Sequence, residues 1–465
     1  MIAMAALACG GTEADIDETD DTLDESAELF ESAYLDGKED SARSVRFETF
    51  LGTDGKYYNA GGIVFGDGTT QNVASPYAYV KGTDPNVGEY YSIYPVGGSP
   101  TVNGYWCVIG GGTGHTALNY AVVGGGKNNN ANCFAGTISG GYNNYTSAGN
   151  GSYGYSTVGG GRGNAATADY STVSGGNSNT ASASYSAVGG GRYNAASAVY
   201  STVGGGKTNT ASGSYSTVSG GNSNTASAVR STVSGGSSNT ASGSYSAVGG
   251  GRYNTVSGGD SVVAGGGGNN ASAYYSTIGG GKDNIASGYL STVSGGAGNY
   301  AGGAYSAVLS GKDASAGHYG AQAHASGKFS SAGDAQRLTL IARAETAYSN
   351  TPTEMFLDGA SERMVIPVDT AWNFDIKLSM YSQPVASGGA WNIRGAIYRN
   401  GMGTTVLLGS NIYESWLPVE PGFAVSVDAD ITNNALRIQV TGLAGYGSQR
   451  WVAVVDIAQA SAGTP

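Results

Sequence analysis

The chain has 465 residues, of which 80 are glycine and only 12% are charged, and its formal net charge is −12. Average globular chains carry roughly 7% Gly and about 25% charged residues, so this composition needs an architectural cause. Collagen is excluded, because there are only 10 prolines and no Gly-X-Y period. The 32 tyrosines and regularly recurring β-branched residues argue against disorder and indicate a repeat protein.

The three cysteines, Cys9, Cys107 and Cys133, are odd in number and have no CxxC spacing. They predict neither a disulfide framework nor a zinc site. No stretch approaches the length of about 18 apolar residues that a membrane-spanning helix needs. The net acidity comes from the N-terminal part of the chain, so we expect no nucleic-acid partner.

Residues 1–60 are predicted to be an acidic N-terminal attachment segment. Residues 13–36 contain eleven acidic residues and neither Lys nor Arg, which is typical of a solvated tail. Within this run Leu23, Ala27, Phe30 and Tyr34 recur at helical spacing, so a short amphipathic helix could form on a partner.

The first residues, MIAMAALACGG, resemble a bacterial lipoprotein start with Cys9 as the acylated residue. No basic residue precedes the apolar run, which is as short as a signal sequence allows. We therefore expect the segment to dock on a larger particle, through a baseplate or adaptor protein, and lipidation of Cys9 stays open.

Residues 61–106 are predicted to be a β-rich shaft or neck. Residues 61–74 read GGIVFGDGTTQNVA, in which Ile63, Val64 and Phe65 form an apolar strand that runs into a Gly-Asp-Gly turn. The segment resembles the "hydrophobic-F-x-DGT-x-Q" signature of bacteriophage tail-fibre proteins. On the residues alone, a β-hairpin of any β-protein is the alternative.

Residues 107–335 contain tandem repeats of fifteen residues. The unit Tyr-Ser-Thr-Val-Ser-Gly-Gly-Asn-Ser-Asn-Thr-Ala-Ser-Ala-Ser occupies 170–184 and restarts every fifteen residues up to Tyr305. The β-branched position recurs with one insertion of five residues near 150–154, at Val123, Ile138, Val158, Val173, Val188, Val203, Val218, Val233, Val248, Val263, Ile278, Val293 and Val308.

This period predicts a parallel β-solenoid, or β-roll, because two glycines per unit would cost a helix roughly 2 kcal/mol. Short strands joined by Gly-rich corners stack at about 4.8 Å per layer instead. Equivalent residues then form columns, and one column of asparagines is predicted to form a side-chain amide ladder. It comprises Asn164, Asn179, Asn194, Asn209, Asn224, Asn239, Asn254, Asn269, Asn284 and Asn299.

Each coil offers only one Val or Ile and one Ala as inward residues, such as Ala166 and Ala181. At about 25 cal/mol per Å² this is a thin core for fifteen ordered residues. Association of chains along the roll would bury more surface, and we expect a homotrimer as the natural closed form of a fibre.

The repeats resemble the head repeats of trimeric autotransporter adhesins, which have a Ser-x-Ala-x-Gly rhythm of about fourteen residues. The resemblance covers residues 109–327 and implies left-handed β-rolls that intertwine as trimers. Two departures are the period of fifteen with its Gly-Gly pair and the lack of a recognisable coiled-coil stalk or membrane anchor after the repeats. We therefore do not expect a complete autotransporter.

Residues 336–465 are predicted to be a C-terminal β-sandwich that forms the tip. Seven alternating stretches predict strands at 338–344, 374–380, 391–398, 406–412, 423–427, 436–440 and 451–457, separated by turn signals such as Asn400–Gly401. The segments DTAWNFDIKL and NNALRIQVTGLAGYGSQRWVAVVDI resemble the terminal domain of many phage tail-fibre proteins.

A column of cations follows four residues after the β-branched positions. In a stacked solenoid these side chains would line one corner, either as solvated charges that prevent aggregation or as a contact for an acidic glycan. The predicted glycan-contact column comprises Lys127, Arg162, Arg192, Lys207, Arg252, Lys282 and Lys312.

No catalytic, cofactor or metal site is predicted, and we expect the chain not to be an enzyme. His115, His318 and His324 have no evident partner, and the GGG runs lack the GK[ST] ending of a phosphate loop. A polysaccharide-cleaving tailspike would need a carboxylate pair. The aspartates of the roll lie at different coil positions, namely Asp169, Asp260, Asp283, Asp313 and Asp334.

Together these features predict an extracellular structural fibre of a virion, a phage tail fibre that attaches to a host surface glycan or outer-membrane receptor. The alternative is a bacterial surface adhesin held at Cys9. A third hypothesis, an ice-binding solenoid, rests on a threonine rank that Ala187, Val262 and Ala307 interrupt. It comprises Thr157, Thr172, Thr202, Thr217, Thr232, Thr277 and Thr292.

Overall fold

The computed structural model describes residues 100–102, 104–148, 154–347, 350–383, 387–414 and 422–462, together with the backbone of four strands before residue 96. Within these residues all regular structure is β, which confirms the predicted fold class. None of them forms a helix that could span a membrane. The helix predicted around Leu23–Tyr34 lies outside the described residues. The chain divides into two compact units, Met1–Thr83 and Asp84–Pro465.

The first unit contains an antiparallel arrangement of β1 (Ser44–Leu51), β2 (Tyr57–Val64) and β3 (Thr70–Asp84). Val64 lies opposite Thr70 in the antiparallel ladder between β2 and β3, the strands on either side of the Gly-Asp-Gly motif. The motif itself, 66–68, lies outside the described residues.

In the second unit a solenoid of about fifteen coils stacks two parallel sheets against each other. The strands of the second sheet are β5 (Thr101–Val102), β7 (Thr116–Ala117), β9 (Asn130–Asn132), β11 (Tyr145–Ser147), β13 (Ala165–Ala166), β15 (Thr180–Ala181), β17 (Ala195–Ala196), β19 (Thr210–Ala211), β21 (Thr225–Ala226), β23 (Thr240–Ala241), β25 (Thr255–Val256), β27 (Asn270–Ala271), β29 (Ile285–Ala286), β31 (Tyr300–Ala301) and β33 (Ser315–Ala316).

The first sheet carries the β-branched column. Its strands are β6 (Val108–Ile109), β8 (Val122–Val123), β10 (Thr137–Ile138), β12 (Thr157–Val158), β14 (Thr172–Val173), β16 (Ala187–Val188), β18 (Thr202–Val203), β20 (Thr217–Val218), β22 (Thr232–Val233), β24 (Ala247–Val248), β26 (Val262–Val263), β28 (Thr277–Ile278), β30 (Thr292–Val293), β32 (Ala307–Lys312) and β34 (Gln322–Ser326). Ahead of them, β4 (Gly88–Pro95) pairs in parallel with β6.

The core of each coil is larger than the sequence predicts. The Val or Ile of the first sheet and the Ala of the second are inaccessible to solvent, as expected. An Asn and a Ser from each repeat, such as Asn224 and Ser231, are equally buried. A column of hydrogen-bonded amides therefore adds to the thin apolar core, and sequence reasoning did not place it inside.

The asparagine column is held by bonds from side chain to backbone. In one coil Asn224 Nδ2 donates to the carbonyls of Gly220 at 2.9 Å and of Gly236 in the next coil at 3.0 Å. Its Oδ1 accepts the backbone N–H of Asn239 at 3.0 Å. The predicted ladder of direct amide-to-amide bonds is therefore wrong for most rungs, because the glycine carbonyls already use both amide hydrogens. Three Nδ2-to-Oδ1 contacts remain, between 179 and 164, 269 and 254, and 284 and 269.

His115 occupies the asparagine position in the coil before Asn129 and makes two of the three bonds. Its Nε2 lies 3.0 Å from the carbonyl of Gly126 in the next coil, and its Nδ1 accepts the backbone N–H of Asn129 at 3.2 Å. The carbonyl can only accept, so Nε2 carries the proton. His115 is a structural replacement for asparagine.

Glycine is required where the corner turns beside the next coil. Gly176 has φ +95°, and a Cβ there would lie 2.2 Å from the carbonyl oxygen of Gly191. Two further corner positions adopt positive φ without glycine, as in Ser178 (56°) and Tyr185 (59°). Each costs about 1–2 kcal/mol. Inter-coil bonds offset that cost, such as the one from Tyr185 N–H to the carbonyl of Asp169 at 3.0 Å.

The C-terminal part is a two-sheet β-sandwich, as predicted. One sheet contains β35 (Ala335–Ala347), β38 (Thr370–Gln383), β39 (Ser387–Arg399), β40 (Thr405–Glu414) and β43 (Ser448–Ser461) in the order β35-β43-β38-β39-β40. The other contains β36 (Thr353–Glu354), β37 (Met364–Val365), β41 (Ala424–Asp430) and β42 (Ala435–Thr441). The seven predicted strands overlap β35, β38, β39, β40, β41, β42 and β43, and only the two-residue strands β36 and β37 were missed.

The sandwich continues the first sheet of the solenoid. The last solenoid strand, β34, pairs antiparallel with β35, so that Ala323 lies opposite Leu338. This pairing covers a parallel edge that would otherwise expose unpaired backbone groups. The junction brings the last coil next to the segment around β37, 47 residues further along the chain.

The asparagine column predicts a large cost for losing one rung. Asn224→Leu keeps the volume but leaves the Gly220 carbonyl and the Asn239 N–H without these partners, while the Gly236 carbonyl keeps the N–H of Asn222, so we expect about 3 kcal/mol of destabilisation. Chemical denaturation followed by circular dichroism measures it. Asn222→Ala, at an exposed position of the same coil, is the control and should change stability by less than about 0.5 kcal/mol. Equal effects of the two substitutions would contradict this role of the column.

Candidate functional site

The predicted cations lie in one column at the corner that joins the first sheet to the second. Isolated parallel bridges connect this position from coil to coil over the whole range from Thr113 to Lys312. All seven cationic side chains are exposed, at Lys127, Arg162, Arg192, Lys207, Arg252, Lys282 and Lys312. The structure thus brings together the residues that the sequence predicts, on one edge of the solenoid.

From Lys127 to Lys207 the column position carries only cationic, aromatic and amide side chains. Over six successive coils the column position holds Lys127, Tyr142, Arg162, Asn177, Arg192 and Lys207. No Asp or Glu occupies this position or the next one in those coils. At about 4.8 Å per layer, the six side chains extend over about 24 Å. We call these six coils the basic corner.

Tyrosine rings lie among the cations of the basic corner. The guanidinium of Arg162 lies over the ring of Tyr142 at 5.7 Å from its centroid, and that of Arg192 lies over Tyr193 at 4.6 Å. Arg192 Nη2 also donates to the Tyr193 hydroxyl at 3.1 Å. Cation–π contacts of this kind restrict the arginine side chains while leaving their N–H groups directed to solvent.

The charge of the basic corner acts on Tyr193. The hydrogen bond and the positive charge of Arg192, with smaller contributions from Arg162 and Lys207, lower the pKa of the Tyr193 phenol below its ordinary value. Three cations from three coils therefore act on one side chain, and a bound anion would meet the same field.

The C-terminal part of the same corner differs because aspartates accompany the cations. Lys282 Nζ lies 3.5 Å from the carboxylate of its neighbour Asp283, and Lys328 lies 3.5 Å from Asp313, the neighbour of Lys312. These partners reduce the positive potential there. The corner is accordingly asymmetric along the solenoid, because the cations from Lys127 to Lys207 have no acidic neighbour, whereas Lys282 and Lys312 are each followed by an aspartate.

The opposite corner carries a stack of tyrosines. Tyr155, Tyr170, Tyr185, Tyr200 and Tyr215 stack with ring centroids 4.8–5.3 Å apart and interplanar angles of 3–14°. Their side chains are 41–51% exposed. Each inner ring already has both faces covered by its neighbours, so the stack presents ring edges and hydroxyls outward. It therefore offers no ring faces on which sugars could stack.

The remaining residues considered in the sequence analysis form no metal or disulfide site in the described part of the chain. Cys107 and Cys133 are buried, and neither forms a disulfide within the described part of the chain. His318 Nε2 bonds to the carbonyl of Val365 at 2.6 Å, and His324 Nδ1 lies 3.2 Å from the carbonyl of Ser310.

Two site residues escaped the sequence analysis, Tyr142 and Tyr193. Both lie at or beside the column position, and the period alone would have placed them there. They were missed because only residues of like charge were followed from coil to coil.

Comparison with known proteins finds no matching family model and no matching curated protein. Among solved structures, similar chains are phage tailspike proteins. The tailspike protein gp49 from Acinetobacter baumannii bacteriophage Fri1, a capsular polysaccharide depolymerase, is 8% identical over 82% of this chain and 75% of that chain, with a TM-score of 0.22. The Acinetobacter baumannii phage AM24 tailspike is 8% identical over 77% and 68%, with a TM-score of 0.18. The Acinetobacter phage vB_ApiP_P1 tailspike is 6% identical over 78% and 81%, with a TM-score of 0.20.

This finding corrects one expectation. The sequence analysis expected the chain not to be an enzyme, yet the first of these tailspikes is described as a depolymerase, which is an enzyme. That expectation is therefore wrong and is not carried further. With TM-scores of 0.18 to 0.22, these structures transfer no activity to this chain. The function proposed for this chain therefore rests on its own residues.

The field of the basic corner predicts how Tyr193 titrates. Nearby positive charge favours the phenolate, so Arg192→Gln should raise the Tyr193 pKa back toward 10.0. NMR titration of tyrosine labelled at Cζ measures the shift, with Tyr193→Phe identifying the signal. Arg252→Gln is the control, because four coils, or about 19 Å, exceed the screening length in physiological salt. Unchanged titration in Arg192→Gln would rule out the contact.

Proposed function

We propose that the chain is an attachment fibre of a phage virion, whose basic corner binds an acidic polysaccharide of the host cell surface. The observation that carries the proposal is the run of six coils from Lys127 to Lys207 in which four exposed cations stand in one line without an acidic neighbour. A linear polyanion laid along the solenoid would meet these cations in sequence.

The spacing of the basic corner supports a polymeric ligand. Neighbouring coils repeat at about 4.8 Å, so cations one or two coils apart lie about 5–10 Å from each other. Each contact with an exposed cation is weak, about 0.5 kcal/mol. Several in a row reach a useful affinity only when the anions are linked in one chain, because the later contacts then form at high effective concentration.

The structure leaves the cations free for such contacts. Arg162 and Arg192 bind only tyrosines, and Lys127 and Lys207 have no ion-pair partner among the described residues. Solubility alone does not require the charges to be ordered in this way, since exposed Ser and Thr are abundant in the other columns. The sorting of acids to the C-terminal coils also favours a ligand at the N-terminal end.

The virion assignment is supported by the solenoid architecture together with the DGTTQ segment, which resembles that of phage tail fibres. In this proposal residues 1–60 dock on a baseplate or adaptor protein and the solenoid is extended outward from the particle. Residues 336–465 form the distal tip, where contact with an outer-membrane receptor is also proposed.

A homotrimer is part of the proposal. The corner opposite the basic corner exposes tyrosine edges, and Val199, Val229 and Leu290 add apolar surface there. Burying such a surface stabilises association by about 25 cal/mol per Å². Three copies around one axis would bury it while leaving the basic corners outward.

The proposal predicts which cations matter. Replacing Arg162, Arg192 and Lys207 together by Gln should weaken binding of alginate, a linear polyuronate, about tenfold, since three contacts of about 0.5 kcal/mol are lost. Surface plasmon resonance at physiological salt measures the Kd, with uncharged dextran as the ligand control.

The matched protein control replaces Arg252, Lys282 and Lys312 by Gln, which changes the net charge equally. We expect less than about a threefold loss, because Lys282 is paired with Asp283 and Asp313 is the neighbour of Lys312. Equal losses in the two variants would show a diffuse charge effect and reject the basic corner as the site. Undiminished alginate binding in the first variant would reject it as well.

Association predicts the mass of the full chain in solution. Multi-angle light scattering should give three chain masses, with Tyr200→Asp on the stacked corner shifting the population toward one chain, because buried charge is costly at an interface. Thr208→Asp, on the basic corner, is the control and should leave the mass unchanged. A single-chain mass for the unaltered protein would refute the trimer.

A further inference from the structure

A pocket lies where the last solenoid coil meets the C-terminal sandwich. Its volume is about 410 Å³, within the usual range of about 300–1,000 Å³ for small-molecule sites. His318 and Tyr319 line it from the solenoid, and Glu362, Arg363, Pro367 and Arg399 line it from the sandwich. Neither part of the chain contains the pocket alone.

The two arginines of the pocket differ in their partners. Arg363 binds Glu354 in a bidentate pair at 3.0 and 3.3 Å and lies 3.7 Å from Asp430, so its charge is neutralised. Arg399 donates Nη1 to the carbonyl of Ile366 at 3.2 Å and has no carboxylate partner among the residues that the structure describes. Arg399 is a half-buried guanidinium that still lacks an anion.

Two enclosed polar atoms at the junction also lack partners in the described part of the chain. They are Arg399 Nε and His318 Nδ1. The Val365 carbonyl can only accept, so His318 carries its proton on Nε2 and keeps Nδ1 as an acceptor. Burial, the largest effect, lowers the pKa of His318 and keeps the ring neutral near neutral pH. Each unsatisfied atom costs about 1–3 kcal/mol, so the junction is not packed for stability alone.

The other walls suit one sugar ring. Tyr319 supplies an aromatic side chain, Pro367 and Ile366 supply apolar surface, and the exposed carboxylate of Glu362 can accept from hydroxyl groups. Apolar walls with a few convergent polar groups are the usual composition of a small-molecule site.

We propose that the junction pocket binds a single sugar carrying a carboxylate, with the Arg399 guanidinium holding the carboxylate and Glu362 accepting from the ring hydroxyls. The inference rests on the proposed binding of an acidic polysaccharide and identifies a second, non-repetitive contact for the same class of ligand. It assigns an anion to the one pocket arginine that has none, and guanidinium–carboxylate pairing is geometrically specific.

Gly317 also lines the pocket and provides a test that leaves both arginines intact. A Cβ at Gly317 meets no atom within 4 Å, and its φ is not in the left-handed region. Gly317→Phe should therefore fill the pocket without straining the backbone, whereas Gly317→Ala should leave it open. A second variant, Arg399→Gln, removes the positive charge of the pocket. Its control is Arg394→Gln, because Arg394 lies on the same strand but pairs with Asp375.

The probe is D-glucuronate, with D-glucose as the neutral control, titrated into the full chain and followed by NMR. We expect glucuronate to bind better than glucose, and Gly317→Phe and Arg399→Gln each to weaken it about tenfold. The two controls should stay within about twofold of the unaltered chain. Circular dichroism and thermal unfolding establish that each variant is folded.

Three results would overturn the pocket: no glucuronate binding to the unaltered chain, equal binding of glucose, or undiminished binding in folded Gly317→Phe. The basic corner is tested separately by alginate. In the variant with Arg162, Arg192 and Lys207 replaced by Gln, loss of alginate binding together with retained glucuronate binding supports both sites. Glucuronate binding by a chain that does not bind alginate supports the pocket and rejects the proposed function.

Discussion

One buried amide per coil is the constraint on which the solenoid depends. Each asparagine of the column must reach a glycine carbonyl four residues before it and another in the next coil, and it must accept the N–H of the next asparagine. These bonds form only if equivalent residues of successive coils lie directly above one another. This requirement keeps the repeat length at fifteen residues. An inserted residue within a coil would leave several buried groups unpaired, at about 1–3 kcal/mol each. The one insertion of five residues falls at a corner, and Ile138 still pairs with Val158 across it.

The same constraint leaves the outer corner positions free to differ between coils. At the position of Arg192 the column also holds Asn222, Gly267 and Ala297 with the same parallel bridge. Backbone stacking therefore does not select the side chain there, and charge at this corner reflects some other requirement. For that reason it is informative that cations without an acidic neighbour lie at one end of the corner, whereas the Lys–Asp neighbours lie at the other. The tyrosine corner is less free, because its rings cover one another, and where tyrosine gives way to Arg230 the guanidinium lies 5.5 and 5.2 Å from the two flanking rings.

The sequence predicts the features that recur with the fifteen-residue period, and it misses those that depend on contacts outside the repeats. The parallel coils, the inward Val and Ala, the line of cations and the seven longer strands of the sandwich all follow from local pattern. The inward asparagines were recognised as a column but assigned the wrong partners, because a repeat does not reveal whether an amide meets another amide or a carbonyl. Tyr193 was missed as well, because only charged residues were followed from coil to coil. The pocket was out of reach for a different reason, since His318 meets Val365 only after the chain has left the last coil and passed through β35.

The end of a repeat structure creates a kind of site that the repeats themselves cannot form. Within the solenoid every corner is made by one repeat and can hold only the shallow features that a repeat can hold. At the last coil the next layer is replaced by the sandwich, through the antiparallel pairing of β34 with β35, and side chains from unrelated sequence then face the open end. Ligand sites commonly form at such boundaries between structural units. A line of weak contacts favours any polyanion of suitable charge, whereas a pocket with one guanidinium that lacks an ion pair and one exposed carboxylate would discriminate among sugars. About seven coils, or about 34 Å, separate Lys207 from the pocket, so one polysaccharide chain could occupy both, the first site supplying avidity and the second supplying selectivity.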